Sequence, residues 1–237
     1  MSSLVIEDLT VTRGGRPVVH SLSLTVGAGR VTALLGANGA GKSSLVLGLA
    51  GRLPVTGGRV VLDGTELQGR RPNRIRRAGL AAVPEGHTVF SSMSVSDNVR
   101  AAVVDPSREA ELLGSVFELF PELADRREQM AGTLSGGQQQ MLAIGQALAV
   151  EPRYLLVDEL SLGLAPIIVE RLVDTVARIA ATGVGVLLIE QYAAVALGVA
   201  DRAAVMDRGE VAWSGEASEL RNDPEILQGV YLGAGNS

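Results

Sequence analysis

The chain has no cysteine, a single lysine and only 3% aromatic residues in its 237 positions. Without cysteine there are no disulfides and no thiolate metal ligands, a usage that fits a reducing compartment. With so few aromatics, the core has to be built from Ala, Val and Leu within a hydrophobic fraction of 46%. There is no basic excess either: a net charge of -5 speaks against a general nucleic-acid binder, so none is expected as a partner. The longest apolar runs, such as Val184 to Ile189, fall far short of a membrane span. The start, Met1 to Asp8, lacks the basic and apolar pattern of a signal peptide. The expected location is cytoplasmic, with any membrane role reached through partners.

The one lysine is more informative than these absences. Of 21 Lys+Arg residues all the others are arginine, and Lys42 stands in Gly36-Ala37-Asn38-Gly39-Ala40-Gly41-Lys42-Ser43, with Ser44 next. Glycines let such a loop curl its N–H groups onto phosphate at a helix N-terminus, and a slim ammonium reaches the β- and γ-phosphates. A guanidinium is too wide for that place. Ser43 offers a hydroxyl to Mg²⁺, so a nucleotide and Mg²⁺ are the expected ligands.

The flanking pattern agrees. Residues 4–11 and 18–26 alternate around Gly14-Gly15 as a hairpin. Val31–Leu35 reads as a strand entering the loop and Ser43–Ala50 as the helix leaving it, closed by Gly51. Further strands are expected at Arg59–Leu62, Leu80–Val83, Tyr154–Val157 and Val184–Ile189, the last two as central parallel strands. Val95 to Ala149 has helical spacing broken by Pro106, Pro121 and Gly136-Gly137; a last hairpin turns at Asp207-Arg208-Gly209, before a short helix and a polar tail. The expectation is one α/β P-loop domain over residues 1–237, with antiparallel strands beside it and a helical insertion at about 88–150.

Two further constellations carry chemistry. Tyr154 to Val157 runs into Asp158-Glu159, placing two carboxylates at the carboxyl edge of a sheet, where ligands of open α/β folds bind. Asp158 is suited to the Mg²⁺ shell and Glu159 to polarising an attacking water. Leu134-Ser135-Gly136-Gly137-Gln138-Gln139-Gln140 then sets a serine and two glycines at a second helix N-terminus, before Met141 to Ala149.

That last motif, lying between the phosphate loop and the acidic strand, resembles the signature of ABC ATPases. The resemblance covers essentially the whole chain. Val83-Pro84-Glu85-Gly86, Met141-Leu142-Ala143-Ile144-Gly145, Ser161 to Ile168, Glu190-Gln191 and Tyr231-Leu232-Gly233 resemble ATPase subunits of branched-chain amino acid importers; urea and amide importers share much of the pattern. It implies a RecA-like core of the ABC type and a head-to-tail pair with a second ABC ATPase. In that pair Ser135, Gly136, Gly137 and Gln138 complete the neighbour's nucleotide site. It also implies two membrane permease subunits, a solute-binding protein on the far side, and a peripheral seat on the inner face of the membrane. By the same resemblance, Glu85 stands in the loop that senses Mg²⁺ and the permease. Gln191 takes the place of the switch histidine near the γ-phosphate, where it donates an amide N–H but does not titrate.

Some positions depart from that pattern. Arg13 stands where an aromatic ring usually stacks on adenine; a guanidinium can stack too, and an exposed hairpin arginine is the other reading. Leu160 replaces a proline, and His87-Thr88 and Gln146 replace arginines. Phe90, Met93 and Val95 fall in the segment that lines the groove for a permease helix, or else pack as core. Arg70, Arg71, Arg74, Arg76 and Arg77 read as a solvated helix face or as a patch for anionic lipid. A soluble repair or translation ATPase of this class needs a second cassette or a coiled-coil insertion, and a small-molecule kinase has no use for Leu134–Gln138.

Overall fold

The computed structural model describes residues 2–86 and 89–233; His87, Thr88 and the expected polar tail at 234–237 lie outside the described residues. β1 (Ser3–Arg13) and β2 (Arg16–Gly27) form the expected hairpin. Asp8, at φ 48, inserts a bulge, so the buried set moves from Leu4 and Ile6 to Leu9 and Val11. Next come β3 (Val31–Leu35), α1 (Lys42–Leu49), β4 (Val55–Leu62) and β5 (Thr65–Glu66). A four-stranded antiparallel sheet runs β2-β1-β4-β5. The apolar pattern marked only Arg59–Leu62, because the first half of β4 is built around Gly57 and Gly58. A Cβ on Gly58 would lie 2.3 Å from the Glu7 carbonyl oxygen, so this close strand crossing demands glycine.

Beyond it lie α2 (Pro72–Arg77), β6 (Leu80–Val83), α3 (Val95–Arg100), α4 (Glu109–Leu119), α5 (Pro121–Ala124) and α6 (Gly136–Leu148). The expected breaks are helix starts. Pro106 opens a 3₁₀ turn, Pro121 starts α5, and Gly136-Gly137 are the first turn of α6, which begins before Met141. Proline and glycine there serve as helix starts, where missing donors and free backbone cost little.

The remaining elements are β7 (Tyr154–Asp158), α7 (Pro166–Ala181), β8 (Gly185–Glu190), α8 (Ala193–Leu197), β9 (Arg202–Asp207), β10 (Glu210–Glu216), α9 (Ala217–Asn222) and α10 (Pro224–Gly233). A six-stranded sheet runs β10-β9-β3-β8-β7-β6, parallel except for β10. Its central strands β3, β8 and β7 are buried at every position because both faces are covered. Ala33, Leu35, Leu155, Val157, Val186 and Leu188 face the core shared with α6 and α7, while Leu34, Leu156, Leu187 and Ile189 face the core under the antiparallel sheet and α1. This order sets the carboxyl ends of β3, β8 and β7 side by side. Lys42, Glu190 and Asp158 therefore meet at one edge.

Candidate functional site

The loop between β3 and α1 is shaped by close backbone approaches. A Cβ on Gly36 would lie 2.6 Å from the Met206 carbonyl oxygen, and Gly41, at φ 106, would put one 2.7 Å from the Val18 carbonyl oxygen. From outside, the Gly209 N–H donates to the Ala40 carbonyl at 2.8 Å, and the His20 N–H donates to the Gly209 carbonyl at 2.8 Å. The last hairpin thus braces the loop, a support that local sequence around Lys42 does not announce. Ala37, Asn38 and Gly39 are exposed, Ala40, Lys42 and Ser44 buried, and Gly41 and Ser43 half-buried.

Lys42 is 4% exposed. Its Nζ donates to the carbonyls of Gly36 at 2.9 Å and Ala37 at 3.1 Å, and lies 3.8 Å from Glu159 Oε1. Glu159 follows β7 in a left-handed conformation, φ 49, with its N–H bonded to the Ile189 carbonyl at 2.9 Å. A non-glycine residue held there marks a place where surrounding structure fixes a side chain against local preference. Asp158 is 2% exposed. Burial first, then the charges of Glu159 and Glu85, push its carboxyl up to about 6, while Ser43 and Lys42 pull the other way. Its Oδ1 is buried without a hydrogen-bond partner. Glu85 stands exposed after β6, its charge reaching Asp158. Gln191 follows β8, next to the Glu190 carboxylate, whose pKa its N–H lowers.

The signature residues are built differently. Ser135 caps α6 in a reciprocal box: its hydroxyl accepts from the Gln138 N–H at 3.4 Å, and its own N–H donates to Gln138 Oε1 at 3.0 Å. Ser135 and Gly136 are exposed, while Gly137 is pressed against α7, where a Cβ would meet Ile168 Cγ2 at 2.6 Å. Among the described residues no hydrogen bond or ion pair joins Ser135–Gln138 to the Lys42, Asp158 and Glu159 cluster. Arg13 is exposed at the end of β1 opposite Arg16, also outside that cluster.

A groove of about 330 Å³ separates α1 and β6 from α6, lined among others by Leu47, Pro84, Phe90, Ala143 and Gln146. Phe90 is 56% exposed and Met93 half-buried, but Val95 is 0% exposed and belongs to the core, so the groove segment ends before it. Gln146 donates to Asn98 Oδ1 at 2.9 Å, and Asn98 in turn donates to the Phe90 carbonyl at 3.0 Å. Leu160 is fully buried in the larger core. The arginines of α2 are exposed, and burial of Arg76 against the groove lowers its pKa. Sequence reasoning gave no role to Glu190 and Ser161, although both stood in quoted motifs; a charged residue at the end of an apolar strand was the available signal.

A phosphate loop after a central strand, paired carboxylates at the same sheet edge and an exposed glycine helix start define a P-loop ATPase of the cassette type. The model of the ABC transporter family matches residues 19–161. The chain is 40% identical over 232 residues to the high-affinity branched-chain amino acid transport ATP-binding protein BraG of Pseudomonas aeruginosa, covering 97% of this chain and 99% of that one. It is 29% identical to the lipopolysaccharide export system ATP-binding protein LptB of Escherichia coli K12, covering 98% of each. Among solved structures it is similar to the ADP conformation of MJ1267, an ATP-binding cassette of an ABC transporter, with TM-score 0.82, 25% identity, and 98% and 99% coverage. The chain belongs to the ABC transporter family and is one of its ATP-hydrolysing subunits. Among the described residues no helix is long and apolar enough to cross a membrane.

Proposed function

We propose that this chain energises a membrane importer, with branched-chain amino acids as solute, by hydrolysing ATP in sites shared between two cassettes. The observation that carries this reading is the separation of the parts: Lys42 and Asp158 are buried together beside Glu159, while the Ser135 helix start faces outward with its own cap satisfied. Such a helix end is an anion site for another chain's nucleotide. The partner is a second copy or a sister cassette. The solute follows the greater identity to BraG than to LptB; import in place of export rests on the same difference.

In this reading the N–H groups from Gly36 to Ser44 cradle the phosphates and Lys42 moves from the loop carbonyls to the β- and γ-oxygens. Glu159 accepts the proton of the attacking water, and the Gln191 amide and the neighbour's Ser135, Gly136, Gly137 and Gln138 meet the charge that develops on the γ-phosphoryl. Arg13 lies under the adenine. The residues fit Mg²⁺: the unpartnered Asp158 Oδ1 and the Ser43 hydroxyl would hold it, with Glu85 nearby. Mg²⁺ characteristically takes one or two protein oxygens and completes its shell with phosphates and water, neutralising phosphate charge when bound.

The groove under Phe90 is where we place the permease contact, which seats the chain on the inner face of the membrane and leaves a solute-binding protein to act from the far side. The test is turnover of the purified chain, alone and with its sister cassette, against protein concentration. A rate that rises more steeply than linearly supports a shared site; strict proportionality in every mixture contradicts it.

A further inference from the structure

Glu190 ends β8 with 1% exposure. A buried carboxylate is costly unless donors surround it, and here they do. Ser161 gives it a backbone N–H at 2.9 Å and a hydroxyl at 2.8 Å, one to each carboxylate oxygen. Burial still raises its pKa, with the Glu159 charge acting in the same direction. These residues are placed tellingly along the chain. Ser161 follows Glu159 by two residues, and Gln191 is the next residue after Glu190.

The segment beyond Ser161 turns at Gly163, φ 72, and enters α7 at Pro166. It carries Leu162 and Ile167, 47% and 69% exposed, and delivers Ile168 onto Gly137 in the first turn of α6. A continuous set of contacts therefore runs from Gln191 through Glu190 and Ser161 to the signature turn. Building on the catalytic reading of Glu159 and Gln191 above, we propose that Glu190 is a positioning residue. Its carboxylate, by holding Ser161, keeps the segment 161–168 in register with both the acid end of β7 and the start of α6. One buried group then sets the chain's own site and the surface it presents to a second cassette. Its contribution is to geometry alone: it touches no phosphate.

Three variants of the full chain test this. Ser161→Ala removes the hydroxyl donor and keeps the N–H, Ser161→Thr keeps both, and Glu190→Gln swaps an acceptor oxygen for a donor facing other donors. Misplacing a catalytic group by about an ångström costs on the order of a hundredfold in rate. We expect kcat to fall about tenfold in Ser161→Ala and about tenfold to a hundredfold in Glu190→Gln, with equilibrium affinity for a fluorescent ATP analogue within about twofold of wild type. Ser161→Thr should recover most of the rate. If Glu190→Gln loses its cooperative melting, the Ser161 pair decides alone. Wild-type turnover in Ser161→Ala overturns the inference, as does a loss of ATP affinity and melting temperature in step with turnover. Normal turnover in Glu159→Gln would instead overturn the catalytic reading on which it rests.

Discussion

The sheet edge and the start of α6 both offer helix N-termini to anions, yet they are finished in opposite ways. At the sheet edge Lys42, Asp158 and Glu190 are 4%, 2% and 1% exposed; Lys42 and Glu190 are held by hydrogen bonds, while Asp158 keeps a buried oxygen without a partner. At α6 the cap is an exposed serine whose hydrogen bonds are already made with Gln138. Buried charge that is expensive to keep points to chemistry done in place. An exposed and self-satisfied helix start points to a surface that waits for something brought to it. In the proposed reading one end reacts and the other is presented.

That contrast is open to attack by substitution. The largest effect is expected from Glu159→Gln, which should lower turnover about 10²–10⁴-fold while ATP still binds; single-turnover hydrolysis with a parallel binding titration reads both. If binding and turnover fall together, Glu159 holds the loop in shape and the reactive end lies elsewhere.

Asp158→Asn sharpens the same contrast through stability. The folded carboxyl sits at about 6 against an ordinary value of 3.8, so the metal-free folded chain holds its proton more tightly than the unfolded one. This destabilisation is full above the folded pKa and is relieved as pH falls from about 6 toward 3.8. Urea melts in chelator should find the Asn variant more stable by about 2–3 kcal/mol near neutrality, the gap closing by about pH 4. A gap that does not change with pH would mean that Asp158 is not strained by burial.

A smaller loss is expected at the presented end. Gly137→Ala drives a methyl into Ile168 and should cost about 1–3 kcal/mol of overpacking, which Ile168→Ala in the same chain should relieve. Failure of that rescue in thermal melts would detach α7 from the α6 start. The smallest effect is at Arg13, exposed at the hairpin end. Arg13→Ala should weaken ATP binding by about 1 kcal/mol, the value of an exposed cation–π contact; an unchanged ATP affinity, equal to that for GTP, would remove it from the site.

How much of this was legible in the sequence depended on whether the cause was local. Gly36, Lys42 and the strand ending in Asp158 were readable because their spacing alone sets the loop and the sheet edge. Fold class followed from the same run, since residues 154–157 and 185–189 are apolar in every position. Val95 was ambiguous because the same apolar residue serves a groove or a core, and only packing under α6 decides it. The first half of β4 was hidden by Gly57 and Gly58; the reason for Gly58 lies across the sheet at Glu7 and Asp8. Glu190 was hidden most deeply. Its donors come from Ser161, 29 residues earlier in the chain, and no periodicity links them.

The shared site is tested most directly by mixing two disabled chains. Lys42→Ala spoils the phosphate cradle and Ser135→Arg obstructs the presented helix start, so each alone should hydrolyse almost nothing. In an equal mixture of head-to-tail pairs, half the pairs combine both variants and carry one intact site of two, so about a quarter of the wild-type rate should return. Where the chain needs a sister cassette, the same pair of substitutions is divided between the two cassettes. Where the wild-type chain alone hydrolyses ATP, a mixture as silent as its two components would contradict a site completed between its copies.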